Sequence, residues 1–393
     1  MLSSLLPPLT QTEMTDVRAL NARFQSWLHH SALPLWSSKG PDHEYGGFFE
    51  TIGLNGEPCL DNKRVRVTAR QIYCFAMAAQ MNWAGDVTPL MTHGWAFLNG
   101  IGARGDGPIK HILTREGAIV NAGPDLYDQA FVLLAHAECL RISGDEQHID
   151  KARYLLGWIR SHLAHSEAGF YDHPDNTHTL RSNPHMHLLE CALAWISLDP
   201  DGPWWELAEE IVGLCRRRFV RPSDGVLQEF FNADWSSRSD DQALIEPGHH
   251  YEWAWLLMRW QAAGGAPCDD IYRRFYNIGE DYGFCTRRHV AVDVLTNDLN
   301  WLDGQARLWP QTERLKASLA LAFLSNGQER KVFTSKALES ALALWGYLEG
   351  LLPGLWRDKM HKDGQFVTEP APASTFYHII CALAELDRFV KSH

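Results

Sequence analysis

Long stretches whose apolar residues recur at helical spacing, separated by short loops rich in Gly, Pro and Asp, dominate this chain. The pattern and its breakers predict helices over Thr12–His30, Val67–Asn82, Val87–Gly100, Leu126–Leu140, His148–His162 and Met186–Ile196. Further helices are predicted over Trp204–Phe219, His250–Trp260, Asp270–Gly283, Pro310–Leu324, Ser335–Leu348 and Thr375–Val390. One boundary is drawn at Pro247 and Gly248, read as interrupting regular structure ahead of the aromatic-rich run HHYEWAWLLMRW.

A second pattern is interleaved with the helices. Gly-plus-aromatic segments recur as GGFFE (46–50), AGFYD (168–172), DGVLQEF (224–230), ARLWP (306–310) and GQFVTE (364–369), with a weaker copy in EGAIVNAGPDLYDQA (116–130). The copies lie roughly 50 to 80 residues apart and combine a turn with β-formers, which suggests short strands or hairpins. Helix pairs joined through such insertions about six times predict an all-α toroid with short β-hairpins in the loops at one mouth. No flexible linker divides the chain, so one domain over 1–393 is expected. The inner-ring segments begin polar or aromatic and turn apolar: RQIYCFAMAA, DQAFVLLAHA, HMHLLECALAW, HHYEWAWLLM, TERLKASLALAF and FYHIICALAEL. Their N-terminal ends would offer free N–H groups and positive dipole ends to an anionic or hydroxyl-rich ligand.

Composition narrows the classes. Apolar content of 45% with 16 tryptophans supplies a sizeable core, and a net charge of -12 argues against a nucleic-acid binder. Eight cysteines without a CxxC pair fit a reducing, cytoplasmic setting. The N-terminal MLSSLLPPLTQTEM lacks a basic start and is broken by prolines, unlike a signal peptide, and no window is long enough for a membrane span.

Histidines and carboxylates gather at the helix starts. His249 and Glu252 are three residues apart and can share a helix face, where a carboxylate can fix a histidine's tautomer or raise its pKa; His187 and Glu190 repeat the spacing. A third site is STFYHIICALAEL, where Ser374 can cap the helix and His378 falls early in it. Each histidine taken singly also fits a hydrogen-bonded cap or a satisfied core residue. Arg64, Arg66 and Arg70 offer fixed donors to sugar hydroxyls or an oxyanion, although Arg64 also fits a surface ion pair. Asp125, Tyr127 and Asp128 form a comparable start, with Asp125 a plausible N-cap. In WPQTERLKA, Thr312 can cap and Glu313 can serve the dipole. Trp235, Trp253, Trp255, Trp301 and Trp309 could stack on a sugar ring, though most tryptophans belong to the core. His185, His187, His249 and His250 lack any metal-motif framework, phosphate-binding loops are absent, and Asp125 with Glu252 could instead be glycosidase carboxylates.

The ordered set TARQIY, DLYDQAF, NPHMHLLEC, EPGHHYEWAWLL, LWPQTERLKA and STFYHI, within about Tyr45 to Phe389, resembles the N-acylglucosamine 2-epimerase superfamily, especially its mannose isomerase and sulfoquinovose isomerase-like branch. The resemblance implies an (α/α)6 barrel with its site at the mouth and neither metal nor cofactor. It implies His249 and His378 as the acid/base pair, His187 in contact with the sugar, and Glu252 tuning His249. Arg70, Tyr127, Asn183, Glu190, Arg238, Trp309 and Glu313 complete the implied substrate-binding set, with Glu190 supporting its neighbouring histidine. The expected activity is aldose–ketose isomerisation of D-mannose and D-fructose, or of a related aldose such as D-lyxose, through a cis-enediol. The alternatives are N-acylglucosamine or cellobiose 2-epimerisation and, in another class, a non-catalytic sugar-binding toroid. A monosaccharide is the expected partner, with no nucleic acid or membrane, in a monomer or homodimer.

Overall fold

The computed structural model describes residues 10–103, 107–175, 178–238 and 244–392. The first nine residues of the N-terminal run, the middle of IGARGDG and the end of the WSSRSD loop lie outside them. Among the described residues the helices are, in chain order, α1 (Gln11–Thr15), α2 (Val17–Trp27), α3 (Leu33–Lys39), α4 (Val65–Gln80), α5 (Thr88–Asn99), α6 (Leu126–Ser143) and α7 (Gln147–Leu163). They continue as α8 (Ser182–Trp195), α9 (Trp204–Leu214), α10 (Pro247–Ala262), α11 (Asp269–Gly283), α12 (Leu308–Leu324), α13 (Gly327–Leu348) and α14 (Ala373–Lys391).

The even-numbered helices from α4 to α14 form a closed inner ring: each packs on the next, and α14 returns to α4. Their flanks are apolar almost all round, which is the composition of a helix covered on every side. The second helix of each pair wraps the outside and buries one face only, as α7 does through Ala152, Leu155, Leu156, Ile159 and Leu163. The fold is an (α/α)6 barrel.

Four of the Gly-plus-aromatic copies, GGFFE, AGFYD, DGVLQEF and GQFVTE, become the expected hairpins, and the weaker EGAIVNAGPDLYDQA turns between Ile112–Leu113 and Ile119–Asn121. ARLWP does not, because Ala306–Arg307 runs straight into α12. Antiparallel bridges join Pro41 to Phe48, Ala103 to Ile109, Ala164 to Phe170, Val220 to Leu227 and Met360 to Phe366, and a two-residue ladder joins Phe284–Cys285 to Val290–Ala291. Each links the end of an outer helix towards the start of the next inner one. The extended residues before four of the six inner helices then pair sideways. Lys63–Arg64 pairs with Ile112–Leu113, Thr179–Arg181 with Phe230–Asn232, Ala306–Arg307 with Lys359–Met360, and Ala371–Pro372 with Thr51–Ile52. The last of these closes the ring. Trp36 stacks on Trp356 at 4.6 Å and donates its indole N–H to the Gly354 carbonyl at the same seam.

Several sequence boundaries shift. The first predicted helix does not stop at His30 but passes through a wide π-turn, Leu28–Ala32, into α3. Pro34 sits in the first turn of α3, where its missing N–H is not needed. For the same reason Pro247 does not interrupt α10 but opens it, with Gly248 second. Ser374 and Thr312 lie inside their helices rather than capping them; Pro372 and Arg307 hold the cap positions without side-chain bonds. Asp125 does cap α6, accepting from the Tyr127 N–H at 2.9 Å.

Candidate active site

Because the inner helices all start at the same level, equal positions along them face one another across the barrel axis. The second residues are Arg66, Tyr127, Asn183, Gly248, Trp309 and Ser374, and the sixth are Arg70, Phe131, His187, Glu252, Glu313 and His378. One full turn deeper lie Tyr73, Leu134, Glu190, Trp255, Lys316 and Cys381. A polar cavity of about 370 Å³ opens at this mouth. Its wall includes Arg70, Tyr127, Asn183, His187, His249, Glu252, Trp309 and His378 from the expected set. Glu190 and Glu313 do not line it; they stand behind the histidines. Arg238 is partly buried on the hairpin after Phe230–Asn232 and is not on the cavity wall.

Each histidine is held at Nδ1 by a carboxylate, leaving the other ring nitrogen for the cavity. His187 meets Glu190 at 3.2 Å, and the same carboxylate accepts from the Tyr377 hydroxyl. His378 meets Glu313 at 2.9 Å. His249 meets Glu229 at 3.0 Å, not the expected Glu252. Helical side chains lean towards the N-terminus, so His249 reaches back to the loop carboxylate while Glu252 lies a turn deeper. Glu229 also accepts from the Ser182 hydroxyl, tying α8 to the same point. Neither the spacing nor the helix pattern flags Glu229. The signal that could have found it is the acid ending successive hairpin copies, Glu50 in GGFFE, Asp172 in AGFYD and Glu229 in VLQE.

The partners give the histidines different charges. Burial lowers the His249 imidazole, but the charges of Glu229 and Glu246 outweigh it and hold the pKa up at about 10. Burial dominates at His187, pulling it to about 4 against the pull of Glu190. Burial, Arg70 and Lys316 together push His378 well below the ordinary histidine value. Near neutrality the cavity therefore presents one imidazolium and two neutral imidazoles. Trp309 stands between the outer pair, its ring 5.1 Å from that of His249 and 5.6 Å from that of His378. Of the tryptophans considered for sugar stacking, only Trp309 lines this cavity among the described residues. Trp235 and Trp253 are core residues, Trp255 lies under the floor, and Trp301 is on an exposed loop.

Arg70 is fixed by the Ser374 carbonyl at 3.0 Å and the Tyr127 hydroxyl at 2.5 Å, with its guanidinium 4.0 Å from the centre of the Phe131 ring. Its Nε and the Oδ1 of Asn183 are buried without a hydrogen-bond partner, as are both oxygens of Glu252. All three side chains line the cavity, and a hydroxyl-rich ligand there is the kind of partner such unsatisfied groups could take. On the rim, Arg64 pairs with Glu50, Arg66 with Asp128, Arg307 with Asp293 and Lys359 with Glu369. Burial and the neighbouring Glu313 push Glu252 well above the usual carboxylate range. Donor atoms of His187, Glu190 and Glu252, and of Glu252, Glu313 and His378, lie within 4.8 Å of one another and could gather a cation. The ammonium of Lys316 already stands beside them, 2.6 Å from Glu313.

A larger cavity, of about 620 Å³, lies outside the ring between α5, α6 and α7. Its wall is mostly apolar, and its one buried histidine, His136, bonds to His148 rather than to a carboxylate. No helix among the described residues is long and apolar enough to cross a membrane.

The ring of paired helices and the histidine–carboxylate mouth agree with a family match over residues 47–382, and the chain belongs to the N-acylglucosamine 2-epimerase (GlcNAc 2-epimerase) family as an enzyme acting on sugars. A protein of Rhizobium meliloti (strain 1021) called mannose-6-phosphate isomerase is 41% identical over 384 residues, covering 96% of this chain and 99% of its own. Among solved structures, a D-mannose isomerase superposes with a TM-score of 0.85 at 18% identity, covering 97% of this chain and 100% of that one. The cellobiose 2-epimerase of Bacillus thermoamylovorans B4167 gives 0.83 at 18%, covering 94% and 100%.

Proposed function

We propose that the protein is an aldose–ketose isomerase that interconverts D-mannose and D-fructose. The observation that carries the reading is that His249 and His378 face one cavity from either side of Trp309 with opposite charge states. Two titratable groups whose surroundings drive them apart are suited to act as acid and base. The pyranose opens first: the His249 imidazolium donates to the ring oxygen as the C1–O5 bond breaks, and the anomeric O1–H gives its proton to the neutral His187 imidazole as the C1 carbonyl forms. Neutral His378 then takes the C2 proton, and the electron pair moves through C1 onto O1, giving an enediolate whose oxygens meet Arg70 and His187. O2–H gives up its proton as C1 receives one, leaving the carbonyl at C2. Returning the proton to C2 from the other face would give the 2-epimer. Glu252, raised and unpartnered, is placed to share the proton traffic between O1 and O2.

A phosphorylated hexose is the second reading. The 41% identical relative is named for one, and Arg64, Arg66, Arg307 and Lys359 on the rim could accept a phosphate as an additional partner. One NMR experiment in deuterated buffer separates these readings, with mannose, mannose 6-phosphate, N-acetylglucosamine and cellobiose offered in turn. The expected result is fructose carrying one solvent deuterium from mannose. A 2-epimer as product would make the protein an epimerase, and binding without exchange would make it a sugar-binding toroid. His249→Ala and His378→Ala are each expected to lower kcat by at least about 100-fold.

A further inference from the structure

Beneath the histidines the barrel carries a single buried ammonium among the described residues of its axis. Lys316 is fully buried, and its Nζ lies 2.6 Å from Glu313 Oε2 and 3.8 Å from the centre of the Trp255 ring. The groups that face it come from its own helix and three others: Glu313 on α12, Glu252 with Trp255 on α10, Glu190 on α8, and Cys381 and His378 on α14. Tyr73 on α4 closes the circle through Cys381, 3.0 Å from its hydroxyl. A buried ammonium is tolerable only with such compensation, and the dependence runs both ways. The carboxylates that hold His378 and His187 are fully buried themselves, and without a nearby cation they would rather take up a proton.

We propose that Lys316 is a positioning residue that sets the charge of the acid–base floor, keeping Glu313 anionic against His378 Nδ1 and the opposite ring nitrogen of His378 a free base towards the sugar. The inference rests on the reading of His378 as the base. A carboxylate behind the imidazole accepts the Nδ1 proton and so fixes the tautomer; a neutral acid there would not. The positive charge also opposes protonation of His378 directly. Removing it raises the proton affinity of every group facing it, so the Glu313–His378 pair takes up a proton at higher pH and the base is lost sooner on acidification.

The test compares Lys316→Met and Lys316→Arg in the full-length protein. It uses kcat and KM for mannose across the pH range, and NMR titration of labelled histidines in the unliganded protein. For Lys316→Met the acid limb of kcat and the His378 midpoint should both move up by about one pH unit or more, with KM within about threefold. Lys316→Arg should return both towards the wild type. A folded Lys316→Met protein with unmoved midpoints, or with kcat lowered equally at every pH, overturns the proposal. If that variant does not fold, Glu252→Gln/Lys316→Met removes the ammonium together with the acidity of the buried carboxyl group that faces it. Its His378 midpoint should lie above that of Glu252→Gln alone, and equality overturns the proposal. A wild type that turns over no sugar defeats the isomerase reading instead, and the NMR titration still decides on Lys316.

Discussion

At the scale of single residues, the site is a set of imidazoles whose charge is decided by what stands behind them. Glu229, with Glu246, outweighs burial and raises His249 to about 10, so the stability its pairing contributes is fully present below the ordinary histidine pKa and is lost as pH rises through about 10. Glu229→Gln removes the largest raising influence and lets burial pull His249 down. The alkaline limb of kcat should then move to lower pH by about one unit or more, and kcat at neutrality should fall about tenfold. A pH–rate profile checks this, and an unmoved alkaline limb would remove Glu229 from the account. The histidines, Arg70 and Trp309 were legible as polar or aromatic residues at the starts of otherwise apolar helices, and the family resemblance supplied their expected roles. Glu229 was not, because it reaches His249 from a loop 20 residues away. Nor was Lys316: its place in an apolar run gives no hint that it points at three carboxylates. The expected His249–Glu252 pair had the right face but the wrong depth.

At the scale of elements, the start of each inner helix is the unit that does the positioning. The first residues Val65, Leu126, Ser182, Leu308 and Ala373 each donate their N–H to a carbonyl of a neighbouring hairpin, at His111, Asp172, Glu229, Asp358 and Glu50 in turn. Those bonds level the helix starts, which is what brings second and sixth residues into common tiers. At α10 the first residue is Pro247, which has no N–H, and the Ile245–Leu295 bridge holds that start instead. Gly248 follows because its neighbour leaves no room: a Cβ there would lie 2.3 Å from the Trp309 ring. Gly248→Ala should therefore displace Trp309 from between His249 and His378. It is expected to cost about 1–3 kcal/mol of stability, with kcat/KM down about tenfold or more. Thermal unfolding and kinetics on one preparation would check it, and wild-type values in both would show that Trp309 moves freely. Most helices were readable to within a few residues, but α13 begins at Gly327 rather than the expected Ser335, and the run expected to end at His30 continues to Lys39. The start of α6 was placed correctly, while the other inner helices begin two to four residues earlier than expected, at α10 because Pro247 and Gly248 were read as breakers although proline suits a first helical turn.

At the scale of the whole molecule, the ring is closed by residues that no local pattern connects. The mouth cavity and a second one of about 280 Å³ at the opposite end are separated by the tier that includes Tyr73, Glu190, Trp255 and Cys381, so the barrel is a partitioned tube. Its integrity depends on the seam where α14 meets α2 and α4. Trp36 and Trp356 are both fully buried there, and the indole of Trp36 bonds to a carbonyl 318 residues further on. A repeat reading of the sequence implied that a seam must exist but not which side chains form it, since contacts at that separation leave no periodic trace. Trp36→Ala removes a stacked ring and a buried hydrogen bond together, and a cavity of that kind costs about 3–5 kcal/mol. The seam lies behind α14, which carries His378, so the loss should not stay local. The denaturation midpoint should fall, and kcat should drop at temperatures well below unfolding as His378 loses its fixed distance from His249. Hydrogen exchange should quicken first in α14 and in Thr51–Ile52, the strand that pairs with its start. Equal quickening around all six inner helices would mean that the ring yields as one body rather than opening at the seam.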